Sequence, residues 1–132
     1  MSQPGRNAAI VERGYQAFNQ GDIETLTKIF DEQASWHTPG SSPVAGTRVG
    51  RDAVFAQFAR YGGETAGSFR ASLREVFESG NGRVVGLHHN SGTRNGRQLD
   101  TDCCIVFTFK DGRVVEGREH FYDLANWDSF WS

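Results

Sequence analysis

Apolar residues recur every three or four positions through the first half of the chain and every second position through the second half. Over Asn7 to about Gln20, Ile10, Gly14, Ala17 and Phe18 fall at helical spacing with Val11 and Tyr15 beside them, which predicts a first helix stopped by Gly21. Asp22 reads as the N-cap of a second helix whose apolar side carries Ile23, Leu26, Ile29 and Phe30. "ASWHTPG" predicts a short strand, and "SSPVAGTRVG" reads as a loop rich in turn residues. A third helix is expected near Arg51 to Arg60, with Val54, Phe55 and Phe58 inward and Gly62-Gly63 ending it.

From Ser68 the period is two. Strands are predicted at Phe69–Glu78, Arg83–Ser91, Arg97–Phe109 and Arg113–Tyr122, joined by "SGNG", "TRNGR" and "KDGR". "LANWDSFW" predicts a last helical turn or two, and residues 1–6 read as disordered. Helices first and an antiparallel meander afterwards imply an α+β fold, a curved sheet wrapped around three N-terminal helices in one domain spanning residues 1–132.

Parity assigns the faces. Along Arg97–Phe109, Leu99, Cys103, Ile105, Phe107 and Phe109 alternate with polar positions and should face the core, which turns Asp100 and Asp102 outward. Asn95-Gly96 favours a two-residue turn that sets Arg94 opposite Arg97. Counting back places Asn90 opposite Thr101, His88 opposite Cys103 and Gly86 opposite Ile105. His88 then faces inward and His89 outward, whereas a three-residue loop would swap them. Phe30, Phe77 and Phe109 are assigned to the core.

Composition narrows the classes. Charged residues make up 23% of the chain and the net charge is −2, with no basic run, so a nucleic-acid surface is not expected. No apolar stretch approaches the roughly 18 residues of a membrane span. The start "MSQPGRNAAI" lacks a secretory pattern, and adjacent Cys103 and Cys104 read as reduced thiols, both suggesting a cytoplasmic protein. Four histidines scattered over three strands show no metal-ligand spacing, so no metal is expected.

The order of "FNQGDIETLTKIFDEQASWHTPG", "SPVAGTRVGRDAVFAQF", "SGTRNGR" and "VFTFKDGRVVEGREHFYD" resembles the nuclear transport factor 2-like superfamily, and within it the SnoaL-like polyketide cyclase and ketosteroid isomerase-related branch. The resemblance implies a cone-shaped roll with an apolar pocket, no cofactor, and a homodimer formed through the outer sheet face. It also implies an exclusion. The positions that carry the tyrosine and the two acids of steroid isomerases hold Gly14, Thr38 and Ile105, so that mechanism is not expected.

The same register turns Glu119, Phe121 and Asp123 inward, which makes Glu119 and Asp123 candidate acid/base groups with His88 as acid or orienting partner. The resemblance places Trp36, Phe55, Phe58 and Phe121 on the pocket wall. Phe18, Asn90, Cys103 and Ile105 complete the candidate contacts to a small apolar ligand. Other readings stay open: Glu119 pairing with Arg51, Asp123 capping the last helix, His88 as a core histidine. Trp127, Phe130 and Trp131 form an apolar patch that would cover the cone mouth or pack on a second subunit. Two functions follow, a cofactor-independent enzyme moving protons on a polyketide, terpenoid or steroid-like molecule, or a non-catalytic binding or assembly module. A protein–protein adaptor ranks behind both.

Overall fold

The computed structural model describes residues 5–132. Residues 1–4 of the expected disordered start lie outside the described residues; Gly5 caps, and Arg6 begins, the first helix, so the expectation does not hold for those two. Helix α1 is Arg6–Gln20, α2 is Ile23–Ile29, α3 is Arg51–Gly63 and α4 is Leu124–Trp131. Asp22 caps α2 by accepting from the Thr25 backbone N–H, as its position predicts.

Strands β1 (Phe30–Thr38), β2 (Gly46–Val49), β3 (Arg70–Glu78), β4 (Arg83–Arg94), β5 (Arg97–Lys110) and β6 (Arg113–Phe121) form one curved, unclosed sheet in the order β2-β1-β6-β5-β4-β3. β1 runs parallel to β6 and every other neighbour pair is antiparallel. Register shifts between Leu73 and Glu75 in β3 and between Thr108 and Phe109 in β5 mark irregularities of the kind that bend a sheet. The segment read as a loop contains β2, because Gly46 to Val49 pairs back onto β1. α3 runs three residues beyond Arg60, since its two glycines continue the helix rather than stop it.

Asn95 and Gly96 both have positive φ, 51° and 77°, the signature of the two-residue hairpin turn. The register follows: Arg94 opposite Arg97, Asn90 opposite Thr101, His88 opposite Cys103, Gly86 opposite Ile105. His88 is therefore buried on the concave face. His89 lies on the convex face, held between Asp100 (2.7 Å) and Asp102 (2.8 Å).

Two apolar clusters fill the concavity. One joins α1, α2 and α3 to the sheet around Trp36, Ile105 and Phe107. The other holds Tyr61, Phe69, Leu99 and the α4 aromatics Trp127, Phe130 and Trp131. The C-terminal patch thus closes the roll within its own chain. Arg94 ties it down, donating to the carbonyls of Phe130 and Ser132 while its guanidinium lies 5.9 Å from the Trp131 ring. Phe77 departs from its core assignment. At 52% exposure it sits on the outward side of β3 near the strand's end. No helix among the described residues is long and apolar enough to cross a membrane.

These positions predict contrasting costs. Trp127→Ala removes a fully buried ring stacked 4.0 Å from Phe121 and should lower stability by about 3–5 kcal/mol. Phe77→Ser should change it by no more than about 0.5 kcal/mol. Chemical denaturation of the two variants checks both values.

Candidate functional site

Glu119 lies two residues before the end of β6, opposite Ile105 of β5. Strand alternation turns its side chain into the concavity, where it is 6% exposed. Two hydroxyls meet the same carboxylate oxygen. Thr38 Oγ1, at the end of β1, donates to Oε1 at 2.6 Å, and the Tyr61 hydroxyl, from α3, donates to it at 3.1 Å. Behind them sits Gln57, one helical turn before Tyr61. Its amide nitrogen donates to the Val44 carbonyl (2.7 Å) and to the Tyr61 oxygen (3.1 Å). By supplying a proton to that oxygen, Gln57 leaves the tyrosine's own proton for Glu119.

Among the described residues no hydrogen bond reaches Oε2 and no cation pairs with Glu119. Arg51, the alternative partner, donates instead to the carbonyls of Thr27 and Phe30. Burial without a counter-charge raises the Glu119 carboxyl, while the Thr38, Trp36 and Tyr61 side chains favour the charged form; the balance places it at about 7. The Trp36 indole N–H acts on the carboxylate without the geometry of a formed hydrogen bond, and its nitrogen is otherwise unpartnered.

Glu119 lines a cavity of about 60 Å³. Of the expected contacts, Trp36, Phe18, Phe58, Asn90, Ile105 and His88 line it too. Gly14 and Ile105, two of the positions that the resemblance sets against the functional groups of steroid isomerases, form part of its wall. The third, Thr38, has become an anchor for Glu119. A groove of about 320 Å³ between the end of α1, α2 and α3 adjoins the cavity, sharing Phe18, Leu26, Phe58 and Phe69 with it.

Other expected contacts lie elsewhere. Asp123 is exposed and accepts from the Asn126 backbone N–H as the cap of α4, so the strand ends before its side chain can turn inward. Phe55 packs edge-on against Phe30, behind the cavity wall. Phe121 is taken up by its stack on Trp127. Cys103 is buried beside the wall, and burial pushes its thiol far up, leaving it neutral. His88 holds its place on the concave face, but both ring nitrogens are occupied, by the Tyr15 hydroxyl (2.7 Å) and Asn90 Oδ1 (2.9 Å). Burial lowers it to about 4, so the ring is neutral near pH 7. Tyr15, Gln57 and Tyr61 are not among the candidate site residues that the sequence offers. Gln57 and Tyr61, four residues apart on α3, carry a usable signal: a polar pair on the helix's buried side.

Among the described residues, no group of three or more His, Cys, Asp or Glu side chains is arranged to hold a metal ion.

The two shifted groups act on stability with opposite sign. Glu119, raised from 4.5, binds its proton more tightly folded than unfolded, so its stabilising contribution is lost as pH rises from about 4.5 through 7. His88, lowered from 6.5, loses its contribution as pH falls from 6.5 through about 4. In the wild type the slopes offset each other across pH 4.5–6.5. Glu119→Gln removes one of them. The stability of that variant relative to wild type should therefore grow by about 2–3 kcal/mol between pH 5 and 8. Denaturant titrations at the two pH values measure the difference.

Comparison with known proteins agrees with this architecture. Residues 11–117 match the family model described as the SnoaL-like domain. Bal32a, from a soil-derived mobile gene cassette, is 61% identical in sequence. It superposes with a TM-score of 0.95 over 96% of this chain and 97% of its own. An NTF2-like protein of unknown function from Burkholderia pseudomallei is 28% identical, with a TM-score of 0.84 over 100% of this chain and 99% of that one. An uncharacterized protein of Mycobacterium tuberculosis is 29% identical over 123 residues, 93% of this chain and 94% of that protein. The chain belongs to the SnoaL-like domain family, within the nuclear transport factor 2-like superfamily.

Proposed function

We propose that the protein is a cofactor-independent acid/base enzyme acting on a small, mostly apolar, oxygenated molecule of polyketide, terpenoid or steroid-like character. The observation that carries this reading is the state of Glu119. It is buried, one oxygen is pinned by Thr38 and Tyr61, and among the described residues no cation pairs with it and the other oxygen has no hydrogen-bond partner. A carboxyl balanced at about 7 takes and returns protons with little driving force lost in either direction. A binding module would sooner neutralise such a group with an arginine, and Arg51 turns away from it.

In this reading Oε2 removes a proton from carbon next to a carbonyl. The C–H electron pair becomes the new C=C bond of an enolate, and the carbonyl π pair moves onto oxygen. Returning the proton to another carbon gives isomerisation; attack of the enolate carbon on a second carbonyl closes a ring, that carbonyl's π pair moving to its oxygen, which takes the proton back from Glu119. No redox change occurs in either. Tyr61 and Thr38 stay protonated and hold the carboxylate in one orientation; for Tyr61, burial and the neighbouring Glu119 push the phenol well up. The apolar wall of Trp36, Phe58 and Ile105 suits hydrocarbon around the reacting carbons. A molecule larger than the inner cavity would extend past Phe18 into the adjoining groove.

The convex face bears half-buried Val85, Leu87, Cys104 and Val106 on β4 and β5. We assign this row to a homodimer. Leu87→Glu should halve the sedimenting mass, and an unchanged mass would remove this face from the assembly.

2-Cyclohexenone serves as a minimal probe. In D2O the wild type should accelerate exchange of its protons at carbon, at a rate that climbs with pH and levels off above about 7 as Glu119 ionises. Glu119→Gln should abolish the exchange while leaving probe binding intact, as followed by NMR. Undiminished exchange in that variant would exclude Glu119 as the base.

A further inference from the structure

Asn90, in β4, is 1% exposed and lines the cavity, yet its amide nitrogen has no hydrogen-bond partner among the described residues. A buried N–H group without an acceptor has given up its water and gained nothing in return. The neighbouring side chains show why this end of the amide is left over. Asn90 Oδ1 can only accept, so the ring nitrogen facing it, Nε2 of His88, must donate; Nδ1 is then left to accept from the Tyr15 hydroxyl at 2.7 Å, whose proton burial holds in place. His88, held neutral by burial, has one ring proton, and Nε2 carries it. Nε2 donates it to Asn90 Oδ1 at 2.9 Å. A single line of donors, Tyr15 to His88 to Asn90, fixes the amide oxygen toward the ring and the amide nitrogen away from it.

We propose that Asn90 Nδ2 donates a hydrogen bond to the carbonyl oxygen of an enolisable ketone bound in the cavity. Asn90 is then a catalytic residue that holds the oxygen on which charge develops, and His88 and Tyr15 are positioning residues that set its amide. The inference rests on the acid/base reading of Glu119. As Glu119 Oε2 gains the proton and the C–H bond breaks, the carbonyl π pair moves to oxygen beneath the Asn90 N–H. When the proton returns to carbon, the pair moves back. A hydrogen bond of this kind strengthens as the oxygen becomes an oxyanion, so it favours the transition state over the bound ketone. The assignment also narrows the substrate: a carbonyl acceptor is needed beside the carbon that loses its proton, because an apolar group at that place would leave the amide unpaired.

The test uses 15N-labelled wild-type protein and two probes, 2-cyclohexenone and cyclohexene, which lacks the oxygen. The ketone should shift the pair of Asn90 side-chain amide signals and the hydrocarbon should not. Failure of 2-cyclohexenone to move that pair, at any concentration up to its solubility, overturns the assignment. Proton exchange supplies the second arm. Asn90→Leu should slow exchange of 2-cyclohexenone by on the order of 100-fold. Loss of exchange in Glu119→Gln with none in Asn90→Leu removes Asn90 and keeps Glu119. Exchange that survives Glu119→Gln defeats the acid/base reading, while the amide shift still reports on the hydrogen bond. For the positioning role, long-range 15N–1H spectra should show His88 protonated at Nε2 and bare at Nδ1 from pH 6 to 8. His88→Gln, which can donate to Oδ1 again, should retain more exchange than His88→Leu. The opposite tautomer, or equal losses in the two variants, would remove His88 from this role.

Discussion

An uncompensated carboxyl in an aromatic interior is the constraint around which this protein is arranged. Moving a bare carboxylate out of water costs several kcal/mol, and a protein ordinarily recovers that with a cation or by leaving the group protonated. Here neither solution is complete. Thr38 and Tyr61 give the charged form two donors on one oxygen, enough to keep ionisation within reach, and burial keeps it from becoming the rule. The donors come from β1 and α3, so the poise of Glu119 depends on the helix layer being seated on the sheet. Fold and chemistry share this contact.

The surrounding shape is set by what is small. A Cβ on Gly86 would come within 2.7 Å of the Tyr15 hydroxyl, and one on Gly117 would overlap the Trp36 ring. These two strand glycines let an aromatic side chain lie directly against the backbone, which brings Tyr15 to His88 and Trp36 toward Glu119. At the far end, α4 caps itself with Asp123 and buries its two tryptophans. A polar line on β4 and a carboxyl on β6 are thus enclosed within walls made almost wholly of rings and aliphatic groups.

Much of this was legible in the chain. Period-two patterning and the Asn95-Gly96 turn fix the β4–β5 register residue by residue, and with it the inward turn of His88 and Asn90. Glu119 also faces inward, but through the register shift between Thr108 and Phe109, without which Ile105 would pair with Arg118. Where the reading failed, a competing local interaction had won. Asp123 sits at the parity of the inward face, but the strand stops first and its side chain caps α4. Phe77 reads as core because it is large and apolar, yet after the register shift between Leu73 and Glu75 it pairs with Val85 on the outward face. The family's general shape places Phe55 and Phe121 at the cavity, whereas which aromatic ring packs against which other is a matter of tertiary geometry. The Thr38–Tyr61–Gln57 support joins positions up to 81 residues apart from Glu119, and no local pattern announces it. Nor does periodicity reveal that both nitrogens of His88 are occupied.

Glu119 should titrate near neutrality, because it is buried, anchored by neutral donors and, among the described residues, free of any cation. Selective 13C labelling of glutamate side chains, with the Glu119 carboxyl signal identified by its loss in a Glu119→Gln sample, reads that titration directly. A midpoint at about 7 is the result predicted. A midpoint at the ordinary 4.5 or below would show a solvated or charge-paired carboxylate, and would contradict both the geometry described and the proton transfer built on it.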